Sequence, residues 1–337
     1  MPPPSALPDH ELLDPLPAHP AGFRTPTALA RPESAVKIRV LGSAAGGGFP
    51  QWNCNCRNCR GFREGTLKAQ TRTQSSIAVS ADSRNWVLVN TSPDILAQLK
   101  ARPQLHPSGK LRDTRVRAVV LVDSQLDHTI GLAMLREGET LQVYCTNSVR
   151  EDLTTGNPLF RMLENYCGVN WHEIQGGAGF RIPEVEGVEF AAVPVISKAP
   201  PYSPHRDAPR EDDNIALVIT DLASGRRAFY APGLAAVPPK VWDCMSSVDC
   251  LLVDGTFWTD DEMIRIGAGR KRALDMGHLA LSGENGMLAL MRRLPKARKV
   301  LIHINNTNPI LDEDSRERRE LDRAGVEVAY DGMEIVL

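Results

Sequence analysis

The sequence lacks the features that mark a membrane protein or a nucleic-acid-binding protein. None of its apolar runs approaches the roughly 18 residues that a membrane-spanning helix requires. Lysine and arginine total 39 against 41 aspartate and glutamate, so the net charge of -2 provides no general basic surface for nucleic acid or anionic lipid. We therefore expect a soluble protein whose partner is a small molecule, not a nucleic acid or a membrane.

Cysteine is too scarce and too unevenly placed to form the disulfide framework of a small secreted protein. The chain has seven cysteines, an odd number, and three of them fall within NCNCRNC. Residues 1–35 lack the basic segment and the continuous apolar segment of a secretory signal, so we expect a cytoplasmic protein. The same residues are rich in proline and alanine without periodicity, which predicts a flexible N-terminal extension before a folded domain over residues 36–337.

Short β-rich runs alternate with helical segments throughout the predicted domain. So many strands with interspersed helices indicate an α/β or α+β sandwich that is larger than a simple doubly wound sheet. Ser92 followed by Pro93 predicts the start of one helix, and Gly325 predicts the end of another. The predicted strands are VKIRVLG, SSIAVS, NWVLVN, RAVVLVD, LQVYCT, VEFAAVPVI, NIALVIT, RAFYA, CLLVDG, KVLIHIN, VEVAY and MEIVL.

A glycine-rich stretch, LGSAAGGGFP, follows the first predicted strand. It has neither the G-x-G-x-x-G spacing nor the P-loop lysine of a phosphate-binding loop. We therefore favour a turn whose glycines adopt positive φ.

Cys54, Cys56 and Cys59 form a C-x-C-x-x-C cluster. This spacing lets three thiolates converge on one tetrahedral ion within a tight loop, which favours a structural zinc site near residues 54–59. A redox cluster and incidental cysteines are the alternatives. The local sequence offers no obvious fourth ligand.

Polar residues crowd the end of the strand in VLVDSQLDHTIGLAML. Asp127 and His128 fall on the turn from this strand to a helix, where adjacent side chains can face one cation. A capping aspartate beside a chance histidine is the alternative. His303 ends a later predicted strand, in KVLIHINNTNP. Two strand-end histidines and a carboxylate together would form a 2-His-1-carboxylate face for a metal ion.

His278 is a candidate for proton transfer. It lies in DMGHLALSGENG, before a helix that we expect to begin near Ser282. A purely structural histidine is the alternative. Asp254 ends another strand, in LLVDGTFW, and is a weaker candidate of the same kind.

Taken together, these motifs resemble a known family. The strand, the Asp-His turn, and then YAPGLA, LLVDGTFW, GHLALSGENG and LIHINN are similar to the metallo-β-lactamase superfamily, which implies a four-layer αββα sandwich. GSAAGGGFPQWNCNCRNC, SQLDHTIGLAMLREG, LIHINNTNPIL and DGMEIVL resemble, more narrowly, the family of coenzyme pyrroloquinoline quinone (PQQ) synthesis protein B. This resemblance runs from about residue 36 to the C-terminus.

The resemblance implies that one of two metal sites has been lost. Asp123 and Gln125 occupy the positions of two histidines that hold the first metal in the binuclear hydrolases, and two further ligands of those enzymes align near Ser197 and Gly233. The second site keeps Asp127, His128 and His303. A hydroxide held between two ions needs the missing ligands, whereas one carboxylate and two imidazoles suit a ferrous ion with open positions.

The family implies an enzyme of PQQ biosynthesis. Similar proteins are iron- and O2-dependent hydroxylases that convert the tyrosine of a glutamate-tyrosine precursor toward a dihydroxyphenylalanine and a quinone. We therefore expect Fe(II) in the active site, a small peptide or Glu-Tyr dipeptide and O2 as substrates, and His278 as the acid or base. A carrier of PQQ or its precursor, and a residual metallohydrolase, are the alternatives. Other proteins of the pathway and a second copy of the chain stay open as partners.

The resemblance also bears on the cysteine loop. A related phosphodiesterase binds zinc with three matching cysteines and a histidine three residues after its final active-site ligand. That position is Asn306 in this sequence. The fourth zinc ligand is therefore left open between the Asn306 amide, a water molecule and another group.

Overall fold

The computed structural model describes residues 35–337, so the predicted extension over residues 1–35 lies, apart from Ala35, outside the described residues. Residues 35–337 form two seven-stranded sheets with helices between the strands. Their strands are β1 Lys37–Gly42, β2 Ser76–Ser80, β3 Trp86–Val89, β4 Val116–Val120, β5 Leu141–Cys145, β6 Val169–Glu173, β7 Gly179–Phe180, β8 Val188–Pro194, β9 Ile215–Asp221, β10 Arg227–Ala231, β11 Cys250–Asp254, β12 Arg298–Ile302, β13 Val326–Val328 and β14 Glu334–Val336.

The helices of the same region are short. The α-helices are α1 Arg57–Arg63, α2 Ile95–Lys100, α3 Leu126–Thr129, α4 Asn147–Glu151, α5 Leu159–Leu163, α6 Pro239–Ser246, α7 Glu262–Arg265, α8 Met287–Arg292 and α9 Arg316–Arg323. Turns of 3-10 helix lie at Pro103–Leu105, Ile130–Leu135, Leu274–Met276 and Pro309–Leu311, and Asp152–Gly156 forms a π-turn. None of these helices has both the length and the apolar content needed to cross a membrane.

The first sheet has the strand order β14-β1-β2-β3-β4-β5-β6 and the second has the order β13-β12-β11-β10-β9-β8-β7. Within each sheet, the strands on one side pair in parallel and the others are antiparallel. In the second sheet β10, β11 and β12 are parallel, with Ala231 opposite Val253 and Asp254 opposite Ile302. The carboxyl ends of these strands therefore lie along one edge.

The buried side chains divide into the three cores of a four-layer αββα sandwich. Successive residues of a strand point to opposite faces of its sheet. On β11, Leu252 accordingly packs in the core between the two sheets, while Leu251 and Val253 pack against the outer helices. The third core joins the outer face of the first sheet to helices such as α2 and α5. The predicted fold is confirmed.

The structure contains each strand predicted above and adds β6 and β7. Both additional strands lie at sheet edges, β6 with a largely polar sequence and β7 with only two residues. An edge strand is covered on fewer sides, so its sequence needs less apolar character than that of a central strand.

Two predicted helix starts are wrong and one helix end is right. The helix predicted from Ser92 begins at Ile95, after a turn in which the Ser92 hydroxyl accepts a hydrogen bond from the Asp94 N–H. The helix expected near Ser282 begins at Met287, because Gly283 has a φ of 94°, which lies outside the right-handed helical region. Gly325 follows the last helix with φ of 63°, as predicted.

Candidate metal centre

The structure brings Asp127, His128 and His303 together. Asp127 and His128 lie in the single turn of α3, which follows β4, and His303 comes directly after β12 in the other sheet. The ligand atoms of the three side chains all lie within 4.8 Å of one another. This juxtaposition of a carboxylate and two imidazoles is the one expected from the strand ends.

His128 is buried and points one ring nitrogen into this cluster. Its Nδ1 lies 2.8 and 2.9 Å from the two carboxylate oxygens of Asp123. Its Nε2 has no hydrogen-bond partner among residues 35–337 and lies 4.0 Å from the nearer Asp127 oxygen. A metal-binding histidine normally donates its other ring N–H to a carboxylate, which leaves a lone pair for the ion. The buried, unpaired Nε2 therefore fits a metal ligand.

His303 is held in a conformation that few residues adopt. Its φ is 59°, in the left-handed region, where a buried non-glycine residue carries a strain of about 1–3 kcal/mol. Its Nε2 lies 3.2 Å from the Asp127 carboxylate and its Nδ1 lies 2.8 Å from the hydroxyl of Thr256. Strain of this kind is concentrated at functional sites, where surrounding bonds hold the residue in place.

His278 lies beside His303, with the two rings stacked at 5.3 Å between centroids. Its Nδ1–H donates to the Asp254 carboxylate over 2.7 Å. Asp254 is fully buried and also accepts a hydrogen bond from the Leu234 N–H at 3.0 Å. The structure thus gives Asp254 a defined role as the partner of His278, a more central position than its sequence alone indicated.

Charge pairing shifts the pKa values of this site away from those that burial alone would produce. Burial alone would raise the pKa of Asp127, but His128 and His303 outweigh it and hold that pKa well below its usual range. Burial would lower the pKa of His128, but Asp123 and Asp127 outweigh it and raise the pKa to about 9. The Asp254 carboxylate likewise outweighs the effect of burial and raises the pKa of His278.

Two of the residues expected to align with first-metal ligands of the binuclear hydrolases, Gln125 and Ser197, make hydrogen bonds within the protein. The Gln125 side chain donates to the Lys198 carbonyl over 2.7 Å, and Ser197 donates to the Gly277 carbonyl over 3.0 Å. A Cβ at Gly233 would lie 3.5 Å from Ser197 Oγ and 3.9 Å from His278 Cε1, so this position faces the same space. A serine and a glycine there are poor replacements for an imidazole and a carboxylate.

A cleft of about 380 Å³ opens beside Asp127. Its walls are largely apolar, and Leu126 is half exposed on one of them. The Tyr202 hydroxyl donates to the Ser124 carbonyl, which ties the outer wall to the segment that carries Asp127. The lining residues are Gln125, Leu126, Asp127, Pro200, Pro201 and Tyr202.

The glycine-rich stretch after β1 lies on another side of Asp127. Gly47 and Gly48 have positive φ, as predicted for a turn. A Cβ at Gly46 would approach the Asp127 carboxylate to 3.3 Å. This glycine therefore leaves room beside the carboxylate that a larger side chain would occupy.

The three cysteines of the C-x-C-x-x-C motif also converge. The sulfur atoms of Cys54, Cys56 and Cys59 lie within 4.8 Å of one another at the start of α1. Asn306 is buried, and its side-chain amide lies 3.3 Å from the Cys59 sulfur. Asn58 donates to the carbonyls of Asn306 and Asn308 at 3.1 and 2.9 Å, which ties this helix to the loop after His303. Three converging thiolates fit a zinc ion.

Sequence reasoning missed the importance of Thr256 and did not foresee that Asp123 contacts His128. Thr256 is buried between Asp254, His278 and His303. Its only sequence signal is its place two residues after the end of β11. Asp123 lies five residues before His128, a spacing that brings the two side chains together only because a turn and a short helix intervene.

The fold and the site define the class to which the chain belongs. The profile of the β-lactamase superfamily domain matches residues 85–304. Coenzyme PQQ synthesis protein B of Azoarcus sp. is 61% identical over 304 residues, covering 90% of this chain and 100% of that protein. The protein of the same name from Methylococcus capsulatus is 61% identical over 302 residues, covering 89% and 99%.

A solved structure agrees with these relatives. The crystal structure of Zn(2+)-bound PqqB from Methylobacterium extorquens superposes with a TM-score of 0.82 at 38% identity, covering 89% of this chain and 100% of that one. The chain belongs to the coenzyme PQQ synthesis protein B family, within the metallo-β-lactamase superfamily.

The pairing of Asp123 with His128 predicts the effect of removing one charge. Asp123→Asn keeps the shape of the side chain, so the pKa of His128 should fall from about 9, because burial then acts with less opposing charge. An NMR pH titration of the histidine ring protons of the metal-free protein measures this change. Asp221→Asn removes another buried carboxylate, at the far end of β9, and should leave the His128 titration unaltered. An unchanged His128 pKa in Asp123→Asn would contradict the pairing.

Proposed function

We propose that the chain acts in PQQ biosynthesis as a non-haem, Fe(II)- and O2-dependent hydroxylase. Its substrate is the tyrosine of a Glu-Tyr precursor, which is converted toward a dihydroxyphenylalanine and a quinone. The names of its relatives support the pathway. The observation that carries the enzymatic part is the buried His128 Nε2, which has no hydrogen-bond partner in the described part of the chain and converges with Asp127 and His303.

The donor set favours iron chemistry over hydrolysis. Asp127, His128 and His303 would hold one ion, with Asp123 orienting the His128 ring. A ferrous ion bound by two imidazoles and one carboxylate has open positions at which O2 is activated beside a substrate. Hydrolysis by the two-metal mechanism needs a second ion, and Ser197 and Gly233 supply no ligand suited to it.

The cleft beside Asp127 supports an aromatic substrate. Leu126, Pro200 and Tyr202 give it flat or apolar walls, which suit a tyrosyl ring. The ring would then lie next to Asp127, one of the three proposed metal ligands. Lys198, Arg206 and Arg210 belong to the same segment as the outer wall, and we propose them as options for binding the carboxylates of the precursor.

His278 is suited to move a proton during the reaction. It lies beside His303 and is held by Asp254, so its ring has a fixed orientation. Its other ring nitrogen, Nε2, would accept the phenol proton of the substrate or donate a proton during oxygen reduction. Inserting one oxygen atom of O2 into a ring C–H bond and releasing the other as water requires two electrons and two protons, so an assay must include a reductant.

The proposed hydroxylation predicts different losses for the three histidines. His128→Ala and His303→Ala should lose iron binding and product together, because each removes a ligand. His278→Ala should keep iron and lose roughly 10²- to 10⁴-fold in rate, the range of general acid-base catalysis. The test is anaerobic loading with Fe(II), addition of Glu-Tyr, O2 and ascorbate, and detection of a product heavier by one oxygen atom.

Matched controls distinguish the loss of a ligand or of the acid-base residue from a general loss of folding. His106→Ala changes an exposed histidine and should retain both iron and product. Glu-Phe tests whether the phenol group is needed, and Zn(II) loading tests whether iron is needed. Precursor binding without turnover in the Fe(II) protein would favour the carrier alternative, and normal hydroxylation by His128→Ala or His303→Ala would contradict the ligand assignment.

We further propose that Cys54, Cys56 and Cys59 hold a structural zinc ion, with Asn306 adjacent to the fourth position. Structural zinc contributes on the order of 10 kcal/mol to the folding of small zinc domains, so Cys56→Ser should strongly lower the free energy of unfolding. Cys244→Ser changes a half-buried cysteine outside the cluster and should have little effect. Denaturant unfolding and elemental analysis measure both variants, and finding no zinc in protein with intact cysteines would refute the proposal.

A further inference from the structure

Thr256 contacts two of the three histidines of the site, His278 and His303, and also the Asp254 carboxylate. Its hydroxyl oxygen lies 2.6 Å from Asp254 Oδ1, 2.8 Å from His303 Nδ1 and 2.8 Å from the His303 carbonyl oxygen. His278 Nδ1 is slightly farther away, at 3.2 Å. Thr256 is itself buried, with 3% of its surface exposed. One side chain therefore contacts a proposed metal ligand and the partner of the proposed acid or base.

The number of protons limits how these contacts can be made. A threonine hydroxyl has one proton to donate and two lone pairs that accept. The Asp254 carboxylate is an acceptor on both of its oxygens, because the backbone N–H groups of Leu234 and Thr256 each donate to one of them over 3.0 Å. It is also the closest acceptor to the hydroxyl, and a hydrogen bond to a carboxylate is stronger than one to a neutral carbonyl. The hydroxyl proton therefore goes to Asp254.

The contact between the Thr256 hydroxyl and His303 Nδ1 then fixes which nitrogen of His303 carries a hydrogen. Because the hydroxyl proton is directed to Asp254, the hydroxyl oxygen is an acceptor toward His303 Nδ1, and Nδ1 must carry the hydrogen. A neutral imidazole protonated on Nδ1 has its lone pair on Nε2. Nε2 is the nitrogen that faces Asp127, at 3.2 Å, within the proposed metal site.

We propose that Thr256 is a positioning residue that holds His303 in its Nδ1–H form and connects it to Asp254, so that Nε2 is available to a metal ion. In this arrangement His128 has a carboxylate directly on its Nδ1, whereas His303 has one at a distance of two hydrogen bonds through Thr256. The metal-binding consequence rests on the proposed function. The hydrogen-bond assignment rests only on the contacts of Thr256.

Thr256→Val tests the assignment, because valine has the shape of threonine and no hydroxyl. In the metal-free full chain labelled with ¹⁵N-histidine, we expect His303 to show a protonated Nδ1 in the parent protein and to lose that preference in Thr256→Val. Thr256→Ser keeps a hydroxyl and should restore it. Thr220→Val removes a half-buried hydroxyl at the far end of β9 and should leave the His303 signals unchanged.

Metal affinity provides the second readout. Co(II) is a suitable probe, because its absorption spectrum distinguishes an ion bound by thiolates from one bound by nitrogen and oxygen. Loss of a partner of a metal ligand typically weakens binding 10- to 100-fold, so Thr256→Val should show that loss at the nitrogen and oxygen site and none at the cysteine site. Thr256→Ser should bind with nearly the parent affinity.

The two readouts separate failure of the inference from failure of the proposed function. Parent protein whose His303 Nδ1 carries no proton, or Thr256→Val with parent Co(II) affinity at the nitrogen and oxygen site, would overturn the role of Thr256. Parent protein that binds no ion at that site would contradict the proposed function. The ¹⁵N-histidine spectrum of the metal-free chain would still show whether His303 Nδ1 donates a hydrogen bond to Thr256.

Discussion

Two buried carboxylates, Asp123 and Asp254, determine how the histidines of this site are arranged. A carboxylate removed from water is costly unless charged or hydrogen-bonding partners surround it. Asp123 meets that need with the ring of His128 and Asp254 with the ring of His278, the Leu234 N–H and Thr256. Each pair constrains both members, because a misplaced ring would leave its carboxylate buried without a partner. The free nitrogen of His128 is thereby directed toward Asp127 and His303.

The two sheets contribute different parts of this arrangement. The first sheet supplies Asp123, Asp127 and His128 after β4, and the second supplies Asp254 and His303 at the ends of β11 and β12. The three-residue step from His303 to Asn306 then connects the site to the cysteine cluster. A zinc ion among the cysteines would stabilise the loop that follows His303. The proposed zinc site would therefore support the position of a ligand of the proposed iron site.

Much of this could be predicted from the sequence because it follows strand ends and local spacing. Apolar runs stop just before Asp127, His128 and His303, which marks these residues as candidates. Three cysteines within one short loop are necessarily close together in space. Thr256 could not be predicted, since a threonine after a strand is common and its role depends on contacts with residues 22 and 47 positions away. The cleft wall formed by Pro200 and Tyr202 could not be predicted either, because the sequence of a loop without periodicity does not indicate which surface the loop covers.

The proposed metal centre holds one ion, bound by Asp127, His128 and His303. Anomalous scattering at the iron and zinc absorption edges, from crystals loaded anaerobically with Fe(II), tests it most directly. We expect a single iron peak bounded by these three side chains and a separate zinc peak among Cys54, Cys56 and Cys59. An iron peak elsewhere, or a second ion in the space between Ser197 and Gly233, would contradict it.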